Sequence, residues 1–178
     1  MQSNLGVVLQ SSHLFAGTIF DNIRYGKLSA EREQVIQAAR QAGAHEVIEG
    51  MSAGYETRIG EGGSSLSAGQ KQLISFARAL LADPQILIMD EATSSVDTIT
   101  EARIEKGLRA LLKDRLSVII AHRLSTIRHA SKILVIDRGR IIEQGNHDQL
   151  ISLRGRYHHL FQQQSLSNLW QQPSGSLS

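Results

Sequence analysis

An α/β fold with a mainly parallel sheet and crossover helices is predicted by the way apolar runs, helical spacings and polar strand ends alternate along this chain. Short apolar runs of strand length stand at 5–9, 86–90, 117–121 and 133–137. The longer stretches between them space their apolar residues as helices do, the pattern of a parallel sheet returned through helices. Polar residues follow the runs directly: Gln10 after the first, Asp90 and Glu91 at the end of the second, His122 after the third. Open α/β sheets carry their ligands at that carboxyl edge.

The elements follow in order. Ser29 precedes Glu31 and Glu33 and an alanine-rich stretch that stops at Gly43, which predicts a short helix with an acidic first turn and a glycine stop. A glycine-rich turn, Gly60-Glu61-Gly62-Gly63, comes before Ser65-Leu66-Ser67-Ala68-Gly69-Gln70. Leu73, Phe76, Ala77, Leu80 and Leu81 then share one helical face, and Asp83-Pro84 ends that helix before the strand at 86–90. The helix begins with a small, backbone-exposing turn; Ser67 suits its N-cap, and its amides suit an anion. A second helix starts near Thr98, whose spacing to Glu101 suits a capping box, with Ile104, Leu108, Leu111 and Leu112 as its core stripe. Glu105 and Arg109 are one turn apart and suit an ion pair. Arg138-Gly139 between apolar runs predicts a tight hairpin, Gly145-Asn146 opens a terminal helix, and 165–178 reads as a mobile tail rich in Ser, Gln, Pro and Gly.

Composition sets the bounds. With 178 residues and 41% hydrophobic content the chain buries a sizeable core, and its length predicts one domain. A net charge of only +2 predicts no nucleic-acid partner. The absence of cysteine excludes disulfides and thiolate metal sites, and no apolar run approaches the roughly 18 residues that cross a bilayer.

The ordered pair of Leu66-Ser67-Ala68-Gly69-Gln70 and Ile86-Leu87-Ile88-Met89-Asp90-Glu91 resembles the signature motif and Walker B strand of ABC-type ATPases. Around it, Gln10-Ser11-Ser12-His13-Leu14-Phe15 resembles their Q-loop, Ser94-Ser95-Val96-Asp97 their D-loop, and Ile120-Ala121-His122-Arg123-Leu124 their switch histidine. The resemblance covers residues 5–160 and implies a P-loop NTPase-like ABC domain with a helical signature subdomain at about 18–82, within a domain spanning 1–164. The phosphate-wrapping run G-x-x-x-x-G-K-[ST] does not occur: Gly26-Lys27 has Asp21 where the first glycine belongs and Leu28 where the hydroxyl belongs. The sequence is therefore expected to be such a domain without its front.

The resemblance implies ATP and Mg²⁺ as ligands. Asp90 and Gln10 would serve the metal, Glu91 would be the general base, and His122 and Gln10 would sense the γ-phosphate. Ser67, Ala68, Gly69, Gln70 and Asp97 would face a nucleotide held by a second ABC domain in a head-to-tail dimer. Asp97 also suits a helix N-cap. Ala68 replaces the commoner glycine of the motif. The loop after Gln10 and the Glu61 loop would meet transmembrane domains, which places the chain at the cytoplasmic face of a membrane in an exporter. The other readings are a soluble ABC ATPase and a non-catalytic dimerisation or regulatory module.

Overall fold

In the computed structural model, residues 4–9, 13–90, 97–121 and 124–170 are described. The chain divides into two compact units, Met1–Ile120 and Ala121–Ser178.

The first unit is built on a three-stranded parallel sheet in the order β1 (Leu5–Val8), β4 (Ile86–Asp90), β5 (Leu116–Ile120). Before β4 come a two-residue strand β2 (Gly17–Thr18) and helices α1 (Ile19–Arg24), α2 (Arg32–Gln41) and α3 (His45–Glu49). The short strand β3 (Arg58–Ile59), which pairs antiparallel with β2, and the long helix α4 (Ala68–Ala82) follow. Helix α5 (Thr98–Leu112) connects β4 to β5. Leu73, Phe76, Ala77 and Leu80 of α4 join Ile104, Leu108 and Leu111 of α5 and Leu87 and Met89 of β4 in one buried cluster.

Alternate strand residues face opposite sides, and the two sides differ. Leu87 and Met89 are buried, whereas Ile86 and Ile88 are each 38% exposed. Leu5, Val7, Leu116, Val118 and Ile120 are more exposed still. In β4 one face is thus buried and the other half-open, while in β5 even the better-covered face, with Ser117 and Ile119, is only half-buried.

Helix ends match local chemistry, with two adjustments. The helix predicted from Ser29 begins at Arg32, because Gln34 Oε1 accepts from the Glu31 amide at 3.0 Å and sets the start there; Gly43 beyond it takes a φ of +73°. The N-cap of α5 falls one residue before the predicted Thr98. Asp97, extended at φ −61° and ψ 153°, caps α5 instead, its carboxylate accepting from the Thr100 amide at 2.9 Å. The predicted Glu105–Arg109 pair is present at 3.2 Å.

The second unit holds α6 (Leu124–Arg128), β6 (Ile133–Asp137), β7 (Arg140–Gly145), α7 (His147–Leu153) and α8 (Arg156–Trp170). Arg138 and Gly139, with φ of +46° and +75°, make the predicted tight turn between β6 and β7. That turn corrects the reading of 133–137 as a parallel strand, since a two-residue connection leaves only an antiparallel partner. Val135, Leu150 and Tyr157 form a small separate core. The Glu143 carboxylate accepts from the Arg156 and Tyr157 amides and so caps α8 from the neighbouring strand. Helix α8 runs to Trp170, into the stretch expected to be a mobile tail; 171–178 lie outside the described residues.

Candidate functional site at the start of α4 and the carboxyl edge of the sheet

Ser67 sits at φ −66° and ψ 160° immediately before α4, and its hydroxyl accepts from the Gln70 amide at 3.2 Å. Gln70 Oε1 returns the favour, accepting from the Ser67 amide at 2.9 Å. This reciprocal box commits the Gln70 side chain to the cap. Ser67 is the predicted cap; its partner Gln70, not predicted as such, is signalled by the S-x-x-Q spacing. The amides of Ala68 and Gly69, in the first turn, are left for an external acceptor. They head a helix of 15 residues whose dipole favours an anion at that end. Ser67 and Ala68 are exposed, while Gly69 is buried.

The sheet brings its strand ends into line. Val8 pairs with Met89, Met89 with Ile119 and Asp90 with Ile120, so β1, β4 and β5 finish on one edge. By the period of two, Asp90 shares the face of Ile86 and Ile88, not the helix-covered face of Leu87. Gln10, Glu91, Ser94, Ser95, Val96 and His122 lie outside the described residues. Asp97, next to that stretch, is held as a cap, and its hydrogen bonds to Thr100 lower its pKa below the usual aspartate range.

Mg²⁺ takes one or two carboxylates together with phosphate oxygens and waters rather than an all-protein cage. Asp90 at the strand end fits that requirement. Among the described residues no group of three or more His, Cys, Asp or Glu side chains is arranged to hold a metal by itself.

Two loops expected to act together are joined. The Gly62 amide donates to Leu14 O at 2.8 Å, and β2 pairs with β3, so the Glu61 turn is bonded to the segment that follows β1. Gly62 and Gly63 both have positive φ, of +69° and +61°, which this turn demands of glycine. A cleft of about 780 Å³ lies at the opposite edge of the sheet, lined by Asn4, Asp83, Gln85 and Arg115. It is remote from the residues above: Arg115 donates there to Pro84 O at 3.1 Å and pairs with Asp83 at 2.6 Å.

The profile of the ABC transporter family matches residues 1–94. The chain belongs to that family. It is 55% identical over 157 residues to an uncharacterised ABC transporter ATP-binding protein, YknV, of Bacillus subtilis (strain 168), a match covering 88% of this chain and 26% of that protein. It is 51% identical over 160 residues to a fatty acid ABC transporter ATP-binding/permease protein of Mycobacterium tuberculosis (strain CDC 1551 / Oshkosh), covering 90% of this chain and 25% of the relative. Among solved structures, that of a bacterial Atm1-family ABC exporter with ATP bound superposes with a TM-score of 0.82 at 42% identity, over 97% of this chain and 29% of the exporter. The chain thus spans about a quarter of the length of these ABC transporter proteins. Among its described residues no helix is long and apolar enough to cross a membrane.

Proposed function

We propose that this chain is part of the ATP-binding and ATP-hydrolysing domain of an ABC exporter, acting at the cytoplasmic face of a membrane. The observation that carries the reading is the start of α4, where the Ser67–Gln70 box is closed and the Ala68 and Gly69 amides, at the first two helical positions, have no acceptor within the helix. In this reading those amides and the Ser67 hydroxyl bind the γ-phosphate of ATP held by a second ABC domain, in a head-to-tail pair. Asp90 and Gln10 hold Mg²⁺, which when bound offsets the charge that develops on the transferring phosphate. Glu91 orients and deprotonates the attacking water, and His122 and Gln10 register the γ-phosphate and its departure. Asp97 fixes the start of α5 beside the second domain. The segment after Gln10 and the Glu61 turn, already bonded through Gly62 and Leu14, meet the transmembrane domains.

Ala68→Asp separates this reading from a purely structural one. A carboxylate in the first turn favours the helix by about 0.3–1 kcal/mol, yet repels a phosphate placed there. The expected result is unchanged or raised thermal stability with loss of ATP-dependent association with a P-loop-bearing ABC domain, measured by sedimentation. Association that survives the substitution removes the α4 start from nucleotide recognition. The chain by itself, which has no lysine-bearing phosphate wrap, is expected to release no phosphate from Mg-ATP. In an assembly that supplies the wrap, Glu91→Gln retains ATP binding and lowers turnover by about 10²–10⁴-fold; full turnover would remove Glu91 from its role.

A further inference from the structure

Arg78 is the one charged residue between Leu73 and Ala82 of α4, and it sits half-buried beside the helix's apolar stripe. A charge there costs desolvation unless every donor is engaged. The engagement comes from the segment after β1. Nε donates to Asn22 O at 2.8 Å, Nη2 to Asn22 Oδ1 at 2.8 Å and Nη1 to His13 O at 3.0 Å. The guanidinium carbon lies 5.1 Å from the ring centre of Phe15 and 5.8 Å from that of Tyr25, and the two rings stand 4.8 Å apart. Among the described residues no carboxylate forms a salt bridge with it, so carbonyls and aromatic faces carry the charge.

A further set of bonds braces the same segment. Asn22, only 2% exposed, accepts from the Phe15 amide at 2.9 Å and donates to Phe15 O at 2.9 Å and Thr18 O at 3.0 Å. Gly26 permits the close approach, since a Cβ there would fall 2.2 Å from Arg78 O. The bond from Gly62 to Leu14 ties the Glu61 turn to the same body. Phe15 and Tyr25 are 41% and 59% exposed, so the braced segment presents an aromatic edge to the outside.

We propose that Arg78 is a positioning residue that makes residues 13–26 and helix α4 one mechanical body, so that a displacement of the Phe15–Tyr25 edge is delivered to the Ser67–Gly69 end. The significance of that end rests on the nucleotide reading above. Arg78 lies 11 positions along the helix from Ser67, about 16 Å at 1.5 Å per residue, and a capped helix transmits a push over that distance. Lysine cannot substitute. It keeps the charge but loses the planar fork that reaches Asn22 and His13 together, and the stack on the rings.

The test is hydrogen exchange on the purified 178-residue chain without nucleotide, comparing the parent with Arg78→Lys. Amides of residues 19–26 are expected to exchange about tenfold faster, while those in the interior of α4, α2 and α5 stay within about twofold. Unchanged exchange over 19–26 overturns the proposal. So does equal acceleration in α2, α4 and α5, the mark of a general loss of stability. Should Arg78→Lys not fold, Phe15→Leu removes the stack at an exposed ring and leaves the hydrogen bonds; loosening confined to residues 13–26 supports the clamp, and none there overturns it. Because nucleotide is absent, a negative result leaves the Ala68→Asp experiment to decide the ATP reading independently.

Discussion

The two faces of the parallel sheet are made of similar residues and live in different surroundings. Leu87 and Met89 point under α4 and α5 and are 0% and 1% exposed, whereas Ile86 and Ile88 on the same strand are each 38% exposed. The contrast extends across the register, where Leu5, Ile86 and Leu116 form one row and Val7, Ile88 and Val118 the next. Strands of parallel sheets are apolar on both faces because both faces are normally covered. An apolar run therefore reports how a strand is meant to be used and says nothing of which element covers each side. Asp90 stands at the carboxyl end of the open face, so the candidate metal ligand and the bare apolar rows share one surface.

The sharpest test of the contrast is a pair of truncations on neighbouring residues. Leu87→Ala is expected to cost about 3 kcal/mol, as deletion of a fully buried leucine does, and Ile88→Ala about 1 kcal/mol or less because much of that side chain already meets water. Urea unfolding reads both. Equal costs would show that the two faces are equally covered in solution.

A smaller effect tests how tightly the covered side is built. A Cβ at Gly107, inside α5, would lie 2.4 Å from Ala42 O and 3.2 Å from a Phe76 ring carbon. Alanine favours a helix over glycine by about 1 kcal/mol, so packing and propensity oppose each other at this position. Overpacking costs about 1–3 kcal/mol, and backbone oxygen yields less readily than a side-chain tip. Gly107→Ala is expected to lower the urea midpoint. A rise would show that α5 stands away from the α2–α3 connection.

The same division explains what the sequence made legible. The apolar periods located β4 and α4 closely, because a strand's length and a helix's stripe are local properties, and Asp83-Pro84 marks the end of α4 where its residues predict it. Partner choice was not legible in the apolar runs themselves. The run 133–137 is as apolar as 86–90, and only the two-residue turn at Arg138-Gly139 distinguishes an antiparallel hairpin strand from a third crossover strand. At the candidate site, Ser67 was legible as a cap because capping chemistry acts within one turn. Arg78 was not, since its partners Asn22 and His13 are 56 and 65 residues away; the one local sign was a lone charge in the otherwise uncharged run 73–82.

The smallest expected effect asks the most of the comparison. Val118 on β5 is 57% exposed on the open face, paired in register with Ile88. Threonine keeps the branched shape that suits a strand, so Val118→Thr changes little but polarity. Under a covering element the hydroxyl would need a partner or lose about 1–3 kcal/mol. In water it is solvated without cost, and surface changes stay within about 0.5 kcal/mol. Stability by urea unfolding is therefore expected to be unchanged, while concentration-dependent light scattering falls, because contiguous apolar rows drive association between copies. A loss well above that margin would mean that something covers Val118 in solution, and the difference between the two faces would then be one of occupant and not of exposure.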